Sequence, residues 1–170
     1  MVAGDWSRRL RSGQRACLMN PTLRIVTDLA EALALAPVLD AHATEFEVQF
    51  SDEPFPAGSS ARFLEAQFEA PETLLLEARD DHGGTLGLCL LGPLVDPLKG
   101  TAVPTVLVLH VAQTWRHRGV ARALVRAASE EFARRGVRGL SARVGHNDDA
   151  LISMGERWGF VRHWELLLRD

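Results

Sequence analysis

Residues 114–124 read TWRHRGVARAL, with three arginines and a histidine around the single Gly119, directly after the apolar run Val106–Val111. A strand-like run, a basic turn and an alanine-rich helix in this order admit two readings. One is an ordinary strand-to-helix turn whose basic rim is solvated. The other is a cradle for an anion. A helix that starts straight after a strand points unpaired backbone N–H groups, and its positive dipole end, into the strand's exit. That geometry suits a phosphate group. Gly119 leaves no Cβ in the path of an approaching anion and Ala121 only a small one, while Arg116 and Arg118 add charge that does not titrate away. Two phosphate motifs are absent: no Gly-Lys-Ser/Thr precedes the helix, and the three glycines of a dinucleotide fingerprint are not there.

Upstream, LRIVT (Leu23–Thr27) reads as a strand, and Asp28 as the N-cap of a helix through Ala43 that Pro37 bends or splits. A loop rich in Pro, Ser and acids (51–60) leads to a helix over Ala61–Ala70, ended by Pro71. Strands TLLLEAR (73–79) and TLGLCLL (85–91) flank the hairpin signal Asp80-Asp81-His82-Gly83-Gly84. A loop with Pro93, Pro97, Gly100 and Pro104 precedes a strand over 105–111. The helix after Gly119 sets Val120, Leu124, Ala128 and Phe132 on one face, and Gly136 fits its stop. A strand over 137–144, a helix over Asp148–Trp158 with Asn147 as its N-cap, and a terminal strand over 159–170 complete the chain. The order is β-α-α-β-β-β-α-β-α-β, a mixed, mostly antiparallel sheet flanked by helices in the α/β or α+β range.

At 170 residues and 46% hydrophobic, the chain can bury a real core. It reads as one domain over 21–170 behind a polar, Arg-rich, flexible arm over 1–20. Met19 directly precedes the first strand, so an internal start there would leave the arm incidental. The net charge of −3 gives no global basic field for nucleic acid. No apolar run reaches the roughly 18 residues of a membrane span, and the basic N-terminus lacks the apolar core of a secretory signal. A cytoplasmic protein is expected. Cys17 in the arm and Cys89 in a strand stand in no metal-ligand spacing, so one reads as a surface thiol, the other as a packed one, and no metal is expected.

The segment Val111–Ala121 resembles the acyl-CoA-binding motif of the GCN5-related N-acetyltransferases (GNAT family). That loop reads Arg/Gln-x-x-Gly-x-Gly/Ala, matched by Arg116, Gly119 and Ala121, with the family's valine five residues before the arginine at Val111. The family's Asn-x-x-Ala at the start of the next helix and Gly-Phe at its end are matched by Asn147, Ala150, Gly159 and Phe160. The resemblance is close over 85–163, and the element order agrees from Leu23 onward. It implies a GNAT-like fold and an N-acetyltransferase with acetyl-CoA as co-substrate. By the same resemblance, backbone amides of Arg118, Gly119, Val120 and Ala121 hold the CoA pyrophosphate, with Arg116 nearby. The main chain at Val111 pairs with the pantetheine arm where strands 105–111 and 137–144 splay apart, and Asn147 reaches the pantetheine amides. The implied reaction is attack of an amine on the acetyl thioester, whose carbonyl is polarised by amides at the strand end. The acceptor would be a primary amine of a small molecule or a peptide, and homodimers are common among such proteins.

The chain departs from the family at the acid. Many members carry a tyrosine four residues before Gly-Phe; Gly155 stands there, counting from Asn147 reaches Met154, and the chain has no tyrosine at all. A thiolate with a pKa of about 8 to 9 leaves without full protonation, and Ser153 or a water could serve as acid. For the base, the candidates are His110, one residue before Val111, and His146, just after the second splayed strand. Plain alternation sets His110 on the face away from Leu107 and Leu109, the parity where the family often places its base, unless a bulge near Val111 reverses it. The alternative for His110 is a packed, hydrogen-bonded side chain. Glu45, Glu47, Asp52 and Glu53 lie where the family builds its acceptor site; they could attract a cationic amine or form a solvated acidic loop. Two other functions compete: a non-catalytic acyl-CoA-binding or sensor domain, sustained by the missing tyrosine, and a nucleic-acid module on Arg116–Arg126, disfavoured by the acidic net charge.

Overall fold

Asp28 accepts a hydrogen bond from the Glu31 N–H at 3.0 Å and so starts a helix straight after the first strand, the capping its position predicts. The computed structural model describes residues 21–50 (the backbone alone at 46–50), 56–95, 100–144 and 148–162. Its first half comprises β1 (Thr22–Val26), α1 (Leu29–Leu33), α2 (Ala36–Phe50), α3 (Ser59–Phe68) and β2 (Leu74–Arg79). β3 (Thr85–Val95), β4 (Ala102–Val111), α4 (Val120–Arg134), β5 (Ser141–Ala142) and α5 (Asp149–Arg157) follow. The arm over 1–20 and the residues 163–170 of the expected terminal strand lie outside the described residues.

The strands form one sheet in the order β1-β2-β3-β4-β5, antiparallel throughout except for the parallel pair β4–β5. Each face carries its own core. On one side Leu74, Leu76, Cys89, Leu91, Val106 and Val111 of the sheet pack against Val120, Leu124, Ala128 and Phe132 of α4. On the other, Leu75, Leu88 and Leu90 pack against Ala32, Leu35, Leu39 and Leu64 from α1 to α3. Each buried leucine, valine or phenylalanine among them contributes roughly 1.5–3 kcal/mol through removal of apolar surface from water. The apolar stripe of α4 is the one its sequence spacing predicts, and Arg122, Arg126 and Glu130 lie exposed off it. Cys89 is fully buried, and burial pushes its thiol up to about 12.

Several boundaries differ from the sequence reading. The first helix is split at Ala34–Leu35, so Pro37 sits in the first turn of α2, where its missing N–H has no intrahelical partner to lose, and α2 runs on past Ala43 to Phe50. α3 occupies Ser59–Phe68 rather than Ala61–Ala70. β3 and β4 extend into the expected proline loop from either side, with Pro93 directly opposite Pro104. Two residues without N–H groups can share a ladder position that donates no hydrogen bond. β5 shrinks from 137–144 to Ser141–Ala142 because the residues before it close α4 instead: Gly136 N–H bonds Ala133 O at 3.0 Å and Val137 N–H bonds Phe132 O at 2.9 Å. Gly159 and Phe160 likewise bond back to Glu156 and Gly155, so they end α5 rather than begin a strand.

Candidate active site

β4 carries the chemistry-bearing side chains, and an irregularity decides where they point. β3 and β4 pair Leu90 with Val108 but Leu91 with Val106, so Leu107 is an extra residue in β4, a β-bulge. Leu107 reaches over Gly92 beside Gln67 of α3, and Val108 packs into the α1–α3 core, so consecutive residues share a face. Alternation restarts there: Leu109 and Val111 face α4, and His110 faces α2. Plain alternation is thereby corrected. His110 shares a face with Leu107 and lies opposite Leu109, because the bulge sits at Leu107 rather than near Val111. Across the ladder from Val111 stands Gly87, where a Cβ would fall 2.5 Å from the His110 carbonyl oxygen. Only a glycine lets the two strands close at this point.

β4 also ends with an open edge. β5 pairs with it only at Thr105–Ser141 and Val106–Ala142, where the two hydroxyls lie 2.5 Å apart. From Leu107 to Val111 the β5-facing edge of β4 has no strand partner among the described residues. An extended ligand can pair with such an edge.

That edge runs straight into the basic turn. Ala112 N–H is held by Leu86 O at 3.0 Å, and a single 3-10 turn (Gln113–Trp115) follows. His117 and Gly119 then adopt left-handed backbone, φ 61° and 88°, which reverses the chain into α4. Glycine takes this conformation freely, whereas at His117 it costs roughly 1–2 kcal/mol. No side chain caps α4, and its first internal bond runs from Ala123 N–H to Gly119 O at 3.0 Å. The N–H groups of Val120, Ala121 and Arg122 therefore emerge from the helix start with the positive end of its dipole. The Arg118 guanidinium lies 4.9 Å over the ring of Trp115, which keeps its charge beside this start.

Arg116 turns the other way. Its Nε–H donates to Val111 O at 2.9 Å, and its far end pairs with Glu45 of α2. The two side chains are 40% and 44% exposed, so the pair contributes at most about 1 kcal/mol. Its consequence is positional: it ties the basic turn to α2. One helical turn before Glu45, His42 meets His110 edge to face, with ring centroids 5.6 Å apart and planes at 76°. His110 is 6% exposed, and its Nδ1 has no hydrogen-bond partner among the described residues. Burial holds both imidazoles below the usual range; Glu45 opposes this at each, and Arg116 adds to it. At His110 the charge of His42 adds to the lowering as well.

In the same row of the sheet, beyond Leu88, lies Glu77, with no exposed surface. The Thr85 hydroxyl and Arg24 Nε each donate to it at 2.6 Å, and Arg79 Nε lies 3.0 Å away. Burial works to raise this carboxyl, and the contacts with Thr85, Arg79 and Arg24 outweigh it, leaving it below the usual range. With partners on three strands, Glu77 is a structural anchor. A cavity of about 490 Å³ opens at the far end of α4 beside Phe132, Val137 and Leu140, and none of the described candidate site residues lines it.

The structure thus gathers Val111, Arg116 and His110 at the end of β4, and sets Arg118, Gly119, Val120 and Ala121 along the start of α4. Ser153 is exposed on α5 and takes no part in the bonds of this cluster. The N-cap of α5 is Asp148, whose carboxylate accepts from Leu151 N–H at 2.9 Å, rather than Asn147. His146 and Asn147, Asp52 and Glu53 lie outside the described residues, as does the side chain of Glu47. No group of three or more potential metal ligands occurs among the described residues. Sequence reasoning missed His42, although the spacing of His42 and Glu45 puts both on one side of a helix.

Comparison with known proteins bears on this geometry. The family model described as acetyltransferase (GNAT) family matches residues 35–160. The chain belongs to that family. Solved structures agree in fold. A ribosomal-protein-alanine N-acetyltransferase from Brucella melitensis biovar Abortus 2308 superposes with a TM-score of 0.66 at 18% identity, over 89% of this chain and 99% of that one. AAC(6')-Iy in complex with the bisubstrate analog CoA-S-monomethyl-acetylneamine gives 0.65 at 16% identity, over 89% and 98%. An aminoglycoside acetyltransferase from an uncultured soil metagenomic sample gives 0.62 at 18%, over 89% and 100%. No curated protein matches the chain. The mixed sheet flanked by helices is accordingly a GNAT acetyltransferase fold, and no described helix is long and apolar enough to cross a membrane.

Proposed function

We propose that this GNAT protein is an acetyl-CoA-dependent N-acetyltransferase that acylates a primary amine of a small molecule or a peptide. One observation carries the reading: the open edge of β4 ends at an uncapped helix start led by Gly119. An extended amide-bearing arm fits the edge, and a diphosphate fits the N–H groups that follow it. Amides of Arg118, Gly119, Val120 and Ala121 hold the pyrophosphate, with Arg118 adding charge from its place on Trp115. Arg116 supports the turn through Val111 O, and the main chain of Val111 meets the pantetheine arm. Asn147 contributes from the start of the α5 segment. Acetyl-CoA supplies the thioester carbonyl. The domain spans 21–170, and a cytoplasmic homodimer belongs to the same reading.

The chain's own groups manage the protons. An amine with a pKa near about 10 arrives as ammonium and must lose a proton before attack. His110 is the base: an imidazole kept neutral by its surroundings takes that proton on a ring nitrogen, and the amine lone pair then attacks the carbonyl carbon. The C–S bond breaks and the thiol departs as thiolate, without help from a phenol. His146 is the alternative base. As the C–S bond breaks the nitrogen loses its second proton, and Ser153 or water relays that proton to the departing sulfur, leaving a neutral amide and free CoA.

A non-catalytic acyl-CoA-binding domain is the second reading, favoured by the absence of tyrosine. Thiol release from acetyl-CoA across a broad amine panel separates the two. Acceleration by at least one primary amine is expected; CoA binding without any acceleration would leave the sensor reading standing.

A further inference from the structure

His110 is buried, yet its Nδ1 bonds to nothing among the described residues. Buried polar groups are nearly always paired, so the exception calls for an explanation. The ring of His42 meets it edge to face from α2. His42 is itself half-buried, so the pair extends from the closed interior beside β4 toward the surface of α2.

The charged neighbours among the described residues are few. From α2 come His42 and Glu45; from the basic turn comes Arg116, which is paired with Glu45. From β3, Leu88 opposite His110 and Gly87 beside it bring no charge. From β2, Glu77 lies beyond Leu88 and is engaged with Arg24 and Thr85. The carboxylate neighbours are already paired, Glu45 with Arg116 and Glu77 with Arg24 and Thr85, which leaves the ring of His42 as the polar group packed directly on His110 among the described residues.

We infer that His42 is a positioning residue for His110: its ring closes over the buried imidazole from α2, fixes its plane and keeps water from it. This rests on the reading of His110 as the base. Loss of the covering ring admits water, which eases protonation of His110. The effect should therefore appear in the pH dependence before it appears in the rate at high pH.

Two measurements on the full chain test this separately. The first is an NMR titration of the His110 imidazole in wild type, His42→Ala and His42→Phe, which needs no substrate. His110 should titrate at higher pH in His42→Ala and return close to wild type in His42→Phe, which keeps an aromatic cover. The second is the pH profile of kcat/KM for the amine best accepted. In His42→Ala the acid limb should move to higher pH, giving a severalfold loss near pH 6 that disappears near pH 8, with His42→Phe restoring the limb. His42→Gln, which removes the ring but keeps a polar side chain, replaces the alanine variant if that chain does not fold.

An unmoved His110 titration in the ring-less variants overturns the inference, and so does a titration that His42→Phe fails to restore. A moved titration with an unmoved kinetic limb supports the positioning role and removes His110 as the base.

Discussion

The two sides of the β4 terminus are built from different materials. The proposed donor side, from Val111 to Ala121, is one contiguous stretch whose working parts are backbone N–H groups and a left-handed Gly119. The opposite side is made of side chains brought together from α2, β4 and the turn: His42, Glu45, His110 and Arg116. The first is set by local spacing and helix geometry. The second exists only after the sheet has set its register and α2 has packed on it. A backbone cradle tolerates side-chain drift, whereas the imidazole pair depends on one bulge and one helix position.

The comparison breaks most sharply at Gly119. Gly119→Glu puts a carboxylate into the cradle and an L side chain at φ 88°, and should weaken acetyl-CoA binding by at least roughly 100-fold, since like charges brought together at a binding site cost several kcal/mol. Gly119→Ala carries the backbone strain without the charge, so it should cost the fold about 1–2 kcal/mol, the penalty of a left-handed non-glycine residue, and weaken binding far less than Gly119→Glu. Calorimetry on both separates charge from strain; equal losses would place the pyrophosphate elsewhere.

Next in size is the support beneath each side. Leu124 is fully buried on the α4 face and Leu39 is 3% exposed on the α2 face. Each change to alanine should destabilise the fold by roughly 2–5 kcal/mol in urea denaturation. In the folded protein, Leu39→Ala should disturb the His110 titration, and Leu124→Ala should leave it in place. The reverse pattern would mean that α4 rather than α2 orients the imidazole.

The side-chain-built half should also be the acid-labile one. His42 and His110 titrate below their ordinary value of 6.5 in the fold, so the unfolded chain binds their protons first. Their contribution is complete above about pH 6.5 and is lost as pH falls through the lowered folded values. Glu77, lowered from 4.5, follows the same sign further down: its contribution is present above about pH 4.5 and lost as pH falls below it. Urea midpoints measured against pH should fall in two stages, and Glu77→Gln should flatten only the lower one.

The smallest effect is expected at the tie between the two halves. Glu45→Gln removes an exposed pair with Arg116 and should change stability by less than about 1 kcal/mol. A larger loss would show that the pair, rather than packing, holds α2 against the turn.

This contrast explains what the sequence could disclose. The Asp28 cap, the Asp80–Gly84 hairpin, the α4 stripe and the turn at Gly119 depend on neighbours within a few residues, and each was legible. The face of His110 was not, because it depends on a bulge at Leu107 that arises from pairing with β3. Pro93 and Pro104 looked like loop residues because their compatibility with the ladder appears only when they stand opposite one another. Asp148 displaced Asn147 as the cap because two capping residues adjoin and only the helix register chooses between them. His42 became visible as a site residue only through its contact with a strand far along the chain.

The most direct test of the central claim is calorimetric titration of the full chain with acetyl-CoA. The account predicts one saturable site per chain at sub-millimolar cofactor, lost in Gly119→Glu. Absence of binding at millimolar acetyl-CoA, or undiminished binding in Gly119→Glu, would contradict it.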